Sequence, residues 1–544
     1  MRPLDFRNPS MQRSLLRSML SFSSGTFVSR VLGLLREIVI ASVFGANAAT
    51  DAFQVAFRIP NFMRRLFAEG SFSMAFVPVL TEYKETRDHA AMKELVARTA
   101  GTLGAALLVV TALGMIFANV VVGGFAPGAI DEPGKFALTT DLLRLTFPFL
   151  LFVSLTALSG GVLNSFNKFG LAAVTPVILN ICMIAGALLL APRLDVPIMA
   201  LGWAVLAAGI LQLLVQLPAL RRLDLLVWPT WGWAHAGVRR IMKLMIPTLF
   251  GSSVAQVNLL LDTLLASFLI VGSQTWLGYS DRLLEFPLGL FGVALGTVIL
   301  PTLSKHHVSA DPAGFSRALD WGLRLTLLIA VPAMLALVLL ATPMLATLFL
   351  HGRFTAHDVQ MSAWSLAALS FGLPAFALVK TLAPAFYSRQ DTTTPVRAGI
   401  SAMAAAMILN FLFIGILFWL WHTPDQLDDG FMSALAKIPG LHVGLGLASA
   451  CASYLNVFLL WRALRRDGVY QPQAGWARHW LRLGTACLVM VCVLLVGLYF
   501  WSDWTAWPAA TRILRLTLLM AAGGGSFLVT LFACGFRLND LRNV

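Results

Sequence analysis

Charged residues are scarce in this 544-residue chain, where they make up only 12% of the total. A typical soluble domain carries about 25%. Apolar residues make up 58%, which is more than a soluble globule can bury and far more than a disordered chain contains. Nucleic-acid-binding proteins can share the formal net charge of +14, but they are not this apolar. The class that remains is a polytopic membrane protein.

Cysteine is scarce as well, and the usual marks of a secreted protein or of a metal site are absent. The five cysteines lie in apolar segments without a CxxC pair, so we predict neither disulfides nor a metal centre. The first apolar segment lacks the cleavage site of a signal peptide, and we keep it as a helix. No long external segment is present to house a catalytic domain.

Long apolar runs dominate what the sequence does contain. A spanning helix needs about 20 apolar residues, and lipid offers backbone groups no partners, so each run must be helical. The sequence therefore predicts an all-α polytopic membrane protein with fourteen transmembrane helices. Their extents are 21–44, 52–80, 99–124, 142–163, 172–191, 197–219, 244–271, 275–303, 321–341, 360–388, 398–420, 441–461, 483–501 and 513–535.

Basic residues outside these spans are distributed unevenly. When alternate segments are assigned to opposite sides, the side with the N-terminus carries 25 Lys and Arg residues and the other side carries 5. Cytoplasmic loops collect Lys and Arg, so we expect both termini to be cytoplasmic.

Short motifs recur in order at a nearly constant offset. Glu37-Ile-Val-Ile-Ala-Ser42 matches Asp262-Thr-Leu-Leu-Ala-Ser267, and Thr175-Pro176-Val177 matches Thr394-Pro395-Val396. Six spans separate the copies, which predicts two pseudo-symmetric six-helix lobes inserted in the same direction. We predict an N-lobe at 1–225, a C-lobe at 226–470 and two additional helices at 471–544.

Ten basic residues remain inside the predicted spans, where a central charge costs about 2.5–3.5 kcal/mol on insertion scales. Four of them lie near helix ends or have a stem long enough to reach the interface; these are Arg144, Arg324, Lys380 and Arg515. The others are Arg30, Arg36, Arg58, Arg64, Arg65 and Arg282. We expect these six to face a bundle interior or a water-filled cavity.

Acidic residues in the same spans neutralise part of this charge. They are Glu37, Glu69, Asp262, Asp281 and Glu285. Ion pairs that brace the bundle are therefore an alternative explanation for any one arginine. In spans 1 and 2, however, five arginines face only two acids. Guanidinium groups bind phosphate and pyrophosphate bidentately, so the excess predicts a transporter of an anionic substrate.

Five longer motifs make the chain similar to the MurJ (MviN) family of the multidrug/oligosaccharidyl-lipid/polysaccharide exporter superfamily. They are Ser29-Arg30-Val-Leu-Gly33-Leu-Leu-Arg36, Ala49-Thr-Asp51-Ala-Phe53, Pro60-Asn61-Phe-Met-Arg64-Arg65-Leu-Phe-Ala-Glu69-Gly70, Asp281-Arg282-Leu-Leu-Glu285-Phe-Pro287 and Tyr387-Ser-Arg389-Gln-Asp391. The similarity extends from about residue 15 to the C-terminus, and no motif is out of order.

The resemblance implies a flippase of the bacterial inner membrane rather than an enzyme. Its substrate would be lipid II, the undecaprenyl-pyrophosphate-linked peptidoglycan precursor used in cell-wall synthesis and cell-shape maintenance, moved outward by alternating access. The two C-terminal helices would line a groove for the lipid tail. Membrane lipids and the cell-wall synthesis machinery are the expected partners, nucleic acid is not, and we expect a monomer.

The resemblance also assigns residues. The substrate-binding arginines would be Arg30, Arg36, Arg64 and Arg282, which selects Arg64 over its neighbour Arg65. From the charges themselves, the candidates for gating charge pairs are Glu37, Asp51, Arg58, Arg65, Glu69, Asp281 and Glu285, and of these Asp51 also matches an acid of the family. Where the family often has Asp after the second arginine of span 1, this chain has Glu37, which keeps the charge.

Two questions stay open at the level of sequence. No cofactor is expected, but coupling to a monovalent cation or to the membrane potential is open, with Asp262 and Asn410 as weak sodium-ligand candidates. The alternative function is export of drugs or of another lipid-linked oligosaccharide, which would call for a less cationic cavity. A glycosyltransferase would need a catalytic carboxylate in a loop, and only Asp428 and Asp429 offer one.

Overall fold

The computed structural model describes residues 29–65, 71–166, 168–423 and 430–537. Throughout these ranges the chain forms helices joined by short turns, with no strand in the described part. Of the residues singled out above, Glu69, Asp428 and Asp429 lie outside it.

The described residues divide into two compact units, with the boundary between Leu264 and Leu265. The helices of the first unit are α1 (29–44), α2 (Ala48–Arg64), α3 (Ser71–Thr86), α4 (His89–Ile116), α5 (Ala118–Phe125), α6 (Pro133–Thr146), α7 (Phe149–Ser165), α8 (Phe169–Ala185), α9 (Met199–Arg222) and α10 (Ala236–Ala266), whose last two residues lie beyond the boundary.

The second unit begins at Leu265. Its helices are α11 (Ser273–Val308), α12 (Pro312–Leu339), α13 (Ala341–Phe349), α14 (Ala356–Ser370), α15 (Leu373–Tyr387), α16 (Thr393–Trp421), α17 (Phe431–Leu435), α18 (Val443–Arg466), α19 (Trp476–Phe500) and α20 (Ala509–Ala533). The predicted lobes at 1–225 and 226–470 and the segment 471–544 stay a prediction. Lobes are defined by how a transporter moves, and compact units are defined by packing.

Ten of the predicted spans coincide with helical segments long and apolar enough to cross a membrane. Within the described residues, nine of these segments are long and apolar enough on their own, and α14 with α15 makes a tenth that is bent by 40°. The nine are His89–Ile116, Pro133–Ser165, Val174–Arg193, Met199–Arg222, Pro312–Leu339, Thr393–Trp421, Val443–Arg466, Trp476–Phe500 and Ala509–Ala533. The predicted spans 21–44, 52–80, 244–271 and 275–303 are not among these ten. The all-α membrane fold is confirmed, and the count of fourteen is consistent with it.

Apolar side chains lie on the outside of these helices as well as between them. Ile116 is 65% exposed, Ile408 is 69% exposed and Val529 is 70% exposed. Inside the first unit, Phe53, Phe57 and other apolar side chains of α1, α2, α6, α7 and α9 form one core cluster. This arrangement suits a protein whose surrounding solvent is hydrocarbon.

The turn between α1 and α2 fixes the position of the first two charged helices. Gly45 ends α1 because it adopts φ 72°, a conformation that glycine reaches without a Cβ clash. Asn47 then caps α2, since its side-chain oxygen accepts hydrogen bonds from the backbone N–H groups of Ala49 and Thr50. Asp51 is thereby placed in the first turn of α2.

Candidate functional site

Arg36 on α1 is the most deeply buried of the predicted substrate-binding arginines, with 5% of its surface exposed. Its Nη2 forms an ion pair with Glu37 on the same helix. Its Nη1 donates a hydrogen bond of 3.0 Å to Oδ1 of Asn180 on α8. Its Nε has no hydrogen-bond partner within the described part of the chain. The guanidinium is therefore held on one edge.

Asn180 connects this arginine to the start of the same helix. The amide is 5% exposed, and its Nδ2 donates a 3.1 Å hydrogen bond to the backbone carbonyl of Ser29. One neutral side chain on α8 thus contacts α1 at two points, seven residues apart. A buried amide with both ends hydrogen-bonded fixes orientation, because either end left unsatisfied would cost free energy.

Arg30 lies between these two contacts in sequence and is half-buried. Among the described residues it makes no hydrogen bond or ion pair. The ion pair that the structure shows for Glu37 is with Arg36.

Arg58 on α2 contacts the end of α10. Its Nη1 donates a 2.7 Å hydrogen bond to Oγ1 of Thr263, a residue that is only 1% exposed. The Thr263 hydroxyl in turn donates to the carbonyl of Leu259 at 2.8 Å. The arginine therefore meets a neutral hydroxyl acceptor here.

Arg64 and Arg65 lie at the end of α2, and both are half-buried. The Nε of Arg64 donates a 2.9 Å hydrogen bond to Oδ1 of Asn61, one turn earlier on the same helix. This contact orients the guanidinium and uses only one of its five donors. Arg65 follows as the C-cap residue, with its backbone N–H directed at the carbonyls of Asn61 and Phe62.

Two predicted acids of the first unit occupy different environments. Asp51 is 2% exposed and lies in the first turn of α2, where the helix dipole stabilises a negative charge. Asp262 on α10 is half-buried, and its Oδ2 accepts a long hydrogen bond of 3.4 Å from Nδ2 of Asn258.

The second unit contains the remaining predicted residues. The Nη1 of Arg282 on α11 lies 3.2 Å from Oε2 of Glu285, and the two side chains are 39% and 54% exposed. Asp281 beside them is half-buried. Arg282 and Glu285, three residues apart, therefore form an ion pair along one face of α11. Asn410 on α16 is 1% exposed.

Metal-ligating side chains do not cluster in the part of the molecule that the structure describes. No group of three or more His, Cys, Asp or Glu residues there is arranged to hold a metal ion. The two sodium-ligand candidates belong to different units: Asp262 to the first and Asn410 to the second.

Sequence reasoning missed the neutral partners of the arginines. Asn180 and Thr263 lie within apolar runs, and only the charged residues of those runs were predicted to be functional. The signal was nevertheless present, because polar side chains inside a membrane helix are costly and usually bond to a neighbouring helix. The contacts of Asp320 on α12 were not predicted either, because Asp320 lies one residue before the predicted span 321–341.

Comparison with known proteins identifies the family. Residues 40–423 match the family model described as "Lipid II flippase MurJ". The chain belongs to the MurJ family. The family is one of transporters rather than enzymes, and membership makes the chain a multi-pass protein of the inner membrane.

Relatives cover the chain from end to end. It is 45% identical over 540 residues to a probable lipid II flippase MurJ of Vibrio cholerae serotype O1, covering 98% of each sequence. It is 42% identical over 539 residues to the lipid II flippase MurJ of Burkholderia cenocepacia, covering 97% of this chain and 99% of the relative. The predicted family membership is confirmed.

Solved structures agree at the level of the fold. A lipid II flippase MurJ in an inward closed conformation is 25% identical, with a TM-score of 0.74, and covers 94% of this chain and 97% of its own. An inward-facing multidrug resistance MATE family transporter of the MOP superfamily is only 11% identical, with a TM-score of 0.63, and covers 83% of this chain and 98% of its own. The second likeness concerns the fold alone.

Proposed function

We infer that this chain is a lipid II flippase, which moves the undecaprenyl-pyrophosphate-linked peptidoglycan precursor from the cytoplasmic to the periplasmic leaflet. The observation that carries the inference is the arginine excess in predicted spans 1 and 2, five arginines against two acids, in a chain of the MurJ family. Drug export, the alternative, does not call for such an excess.

The pyrophosphate is the part of the substrate that this charge suits. Each phosphate presents oxygens that a guanidinium fork can bind through two parallel hydrogen bonds. We assign this role to Arg30, Arg36, Arg64 and Arg282. For Arg36, the hydrogen bonds to Glu37 and Asn180 hold the group in place before substrate arrives, which lowers the cost of ordering it.

Transport then proceeds by alternating access. The cavity recruits the head group from the cytoplasmic leaflet while the polyprenyl chain stays in lipid, along the groove beside α19 and α20. The acids Glu37, Asp51, Glu69, Asp281 and Glu285 exchange partners with the arginines, including Arg58 and Arg65, as the cavity closes on one side and opens on the other. Both termini are on the cytoplasmic side.

We propose two candidate sources of energy for this transport. A net charge that crosses the membrane with the substrate couples to the potential by about 2.3 kcal/mol per charge per 100 mV. A monovalent cation is the second source, with Asp262 and Asn410 as ligand candidates. Lipid II is the substrate, the cell-wall synthesis machinery the proposed partner, and the working form a monomer.

The test is reconstitution of the purified chain in vesicles that contain lipid II in the inner leaflet. We expect lipid II to become accessible to an external probe only in vesicles that contain the chain. The rate should respond to an imposed membrane potential or cation gradient. Equal accessibility in vesicles with and without the chain would contradict the function.

A further inference from the structure

The last two helices of the second unit, α19 and α20, form a hairpin. Within this unit α19 packs against α20, α19 also packs against α12, and α20 packs against α13. The outer surface of the hairpin is apolar, with Leu488 65% exposed and Val529 70% exposed. Apolar contact alone holds helices weakly in lipid, since the surrounding chains are equally apolar.

A buried carboxylate attaches the segment that leads into α19. Asp320 on α12 has a side chain only 3% exposed. Its Oδ1 accepts hydrogen bonds from the Tyr470 hydroxyl at 2.7 Å, from Trp476 Nε1 at 2.8 Å and from the backbone N–H of Gln473 at 3.2 Å. Its Oδ2 lies 2.7 Å from Nε of Arg324. One carboxylate therefore gathers four groups.

Arg324 adds a second layer of contacts to the same segment. Its Nη2 donates to the backbone carbonyls of Gln473 at 3.0 Å and Ala474 at 2.9 Å. Its guanidinium lies 5.0 Å from the ring centre of Trp476. Burial and the neighbouring Asp320 raise the pKa of Tyr470, so its hydroxyl stays protonated and remains a donor.

A buried arginine attaches the other end of the hairpin. Arg512 at the start of α20 is 5% exposed. It donates to the carbonyl of Ala346 and, at 3.1 Å, to the carbonyl of Leu350. These carbonyls lie at the C-terminal end of α13, where a helix has no donors of its own left to satisfy them. Nearby, the guanidinium of Arg515 lies 3.7 Å from the ring centre of Trp507.

We propose that Asp320 and Arg512 are positioning residues that fix the α19–α20 hairpin to α12 and α13 at both of its ends. The hairpin then moves with these helices as one body, and the apolar surface it offers to the polyprenyl chain keeps a constant position within the second unit. The proposal rests on the proposed function, in which that chain lies beside α19 and α20.

The experiment compares two substrates in reconstituted vesicles, lipid II with its undecaprenyl chain and an analogue that has the same head group on a short chain. The variants are Asp320→Asn and Arg512→Gln. We expect movement of lipid II to slow by about tenfold, the loss of roughly one charge-assisted hydrogen bond. Movement of the short-chain analogue should stay within about twofold of wild type, because the head-group arginines are untouched. Arg478→Gln, on the exposed face of α19, is the matched control and should leave both rates unchanged.

Two further measurements test the positioning role. Tyr470→Phe removes a single bond without a charge, and should give a smaller loss of the same kind. Spin labels on α12 and α19 should report a broader distance distribution in Asp320→Asn. Equal slowing of both substrates, or unchanged rates for lipid II, would overturn the positioning role. If the wild-type chain moves neither substrate, the proposed function fails instead.

Discussion

Two arginines in apolar helices, the buried Arg36 on α1 and the half-buried Arg324 on α12, are held by different sets of partners. Arg324 is surrounded by the carboxylate of Asp320, two backbone carbonyls and an indole ring. Arg36 contacts the adjacent Glu37 and a single amide, that of Asn180. Both arginines are expensive in a membrane, but only Arg324 is surrounded by a carboxylate, two backbone carbonyls and an indole ring together.

The difference separates charges that hold the fold from charges that are suited to bind a ligand. At Arg324, the paired acid and the carbonyls all belong to the joint between α12 and the segment before α19. On α1 and α2 the arginines outnumber the acids, and several of their observed partners are neutral, namely Asn180, Thr263 and Asn61. In the proposed function, the pyrophosphate of the substrate is the anion that this second group binds.

The largest effect is expected when an arginine that we assign to the substrate is removed. We expect Arg64→Ala to slow lipid II movement by about a hundredfold, as when two charge-assisted hydrogen bonds are lost. Arg64→Lys should recover only part of the rate, since Lys keeps the charge but lacks the fork. Rates in reconstituted vesicles measure this.

The neighbouring arginine provides the control for that prediction. Arg65→Ala should slow movement by less than about tenfold, because we assign Arg65 to charge pairs rather than to the pyrophosphate. If Arg65→Ala is the more damaging change, the assignment carried over from the family is wrong.

A smaller effect is expected when the support of Arg36 is removed. Asn180→Ala leaves the guanidinium with Glu37 as its remaining described partner and frees the carbonyl of Ser29. We expect the half-saturating lipid II concentration to rise by about three- to tenfold, the loss of a neutral hydrogen bond or two, with a nearly unchanged maximal rate. A change confined to the maximal rate would argue against a positioning role in binding.

Thr263 offers a weaker test of the same idea on α2. Thr263→Val keeps the shape and removes the acceptor that Arg58 contacts at 2.7 Å. We expect a loss of about 1 kcal/mol in stability and a change in transport of less than about threefold. Thermal unfolding in detergent measures the first. A loss as large as that of Arg64→Ala would place Thr263 in the binding machinery.

The smallest effect is expected at the two loop acids, Asp428 and Asp429. Asp429→Asn should leave transport at the wild-type level, because the function needs no catalytic carboxylate there. Complementation in cells depleted of their own flippase checks this. Loss of growth in this variant would revive the glycosyltransferase alternative.

The fold was largely predictable from sequence, because hydrocarbon demands long apolar helices and tolerates few charges. The list of charged candidates was equally accessible, since each of Arg30, Arg36 and Arg282 is conspicuous in an apolar run. Their partners were not predictable in this way. Asn180 meets Arg36 across 144 residues, and only tertiary packing decides which helix faces α1.

The Asp320 cluster could not be predicted from sequence either, because its members are distant along the chain. From sequence, Arg324 lies close enough to a helix end to extend into the interface, and Asp320 falls just outside the predicted span. The cluster is completed from about 150 positions away by Tyr470 and Gln473 of the linker and by Trp476, the first residue of α19. No local pattern marks such a site.

The most direct test of the central claim measures lipid II at the outer face of cells depleted of their own flippase. We expect this chain to restore accessible lipid II, and Arg30→Ala, Arg64→Ala and Arg282→Ala to leave it inside although each variant inserts into the membrane. Arg144→Ala, whose exposed side chain pairs with Asp141 at 3.3 Å, should behave like wild type. Full restoration by all three arginine variants would contradict the claim that these arginines bind the pyrophosphate.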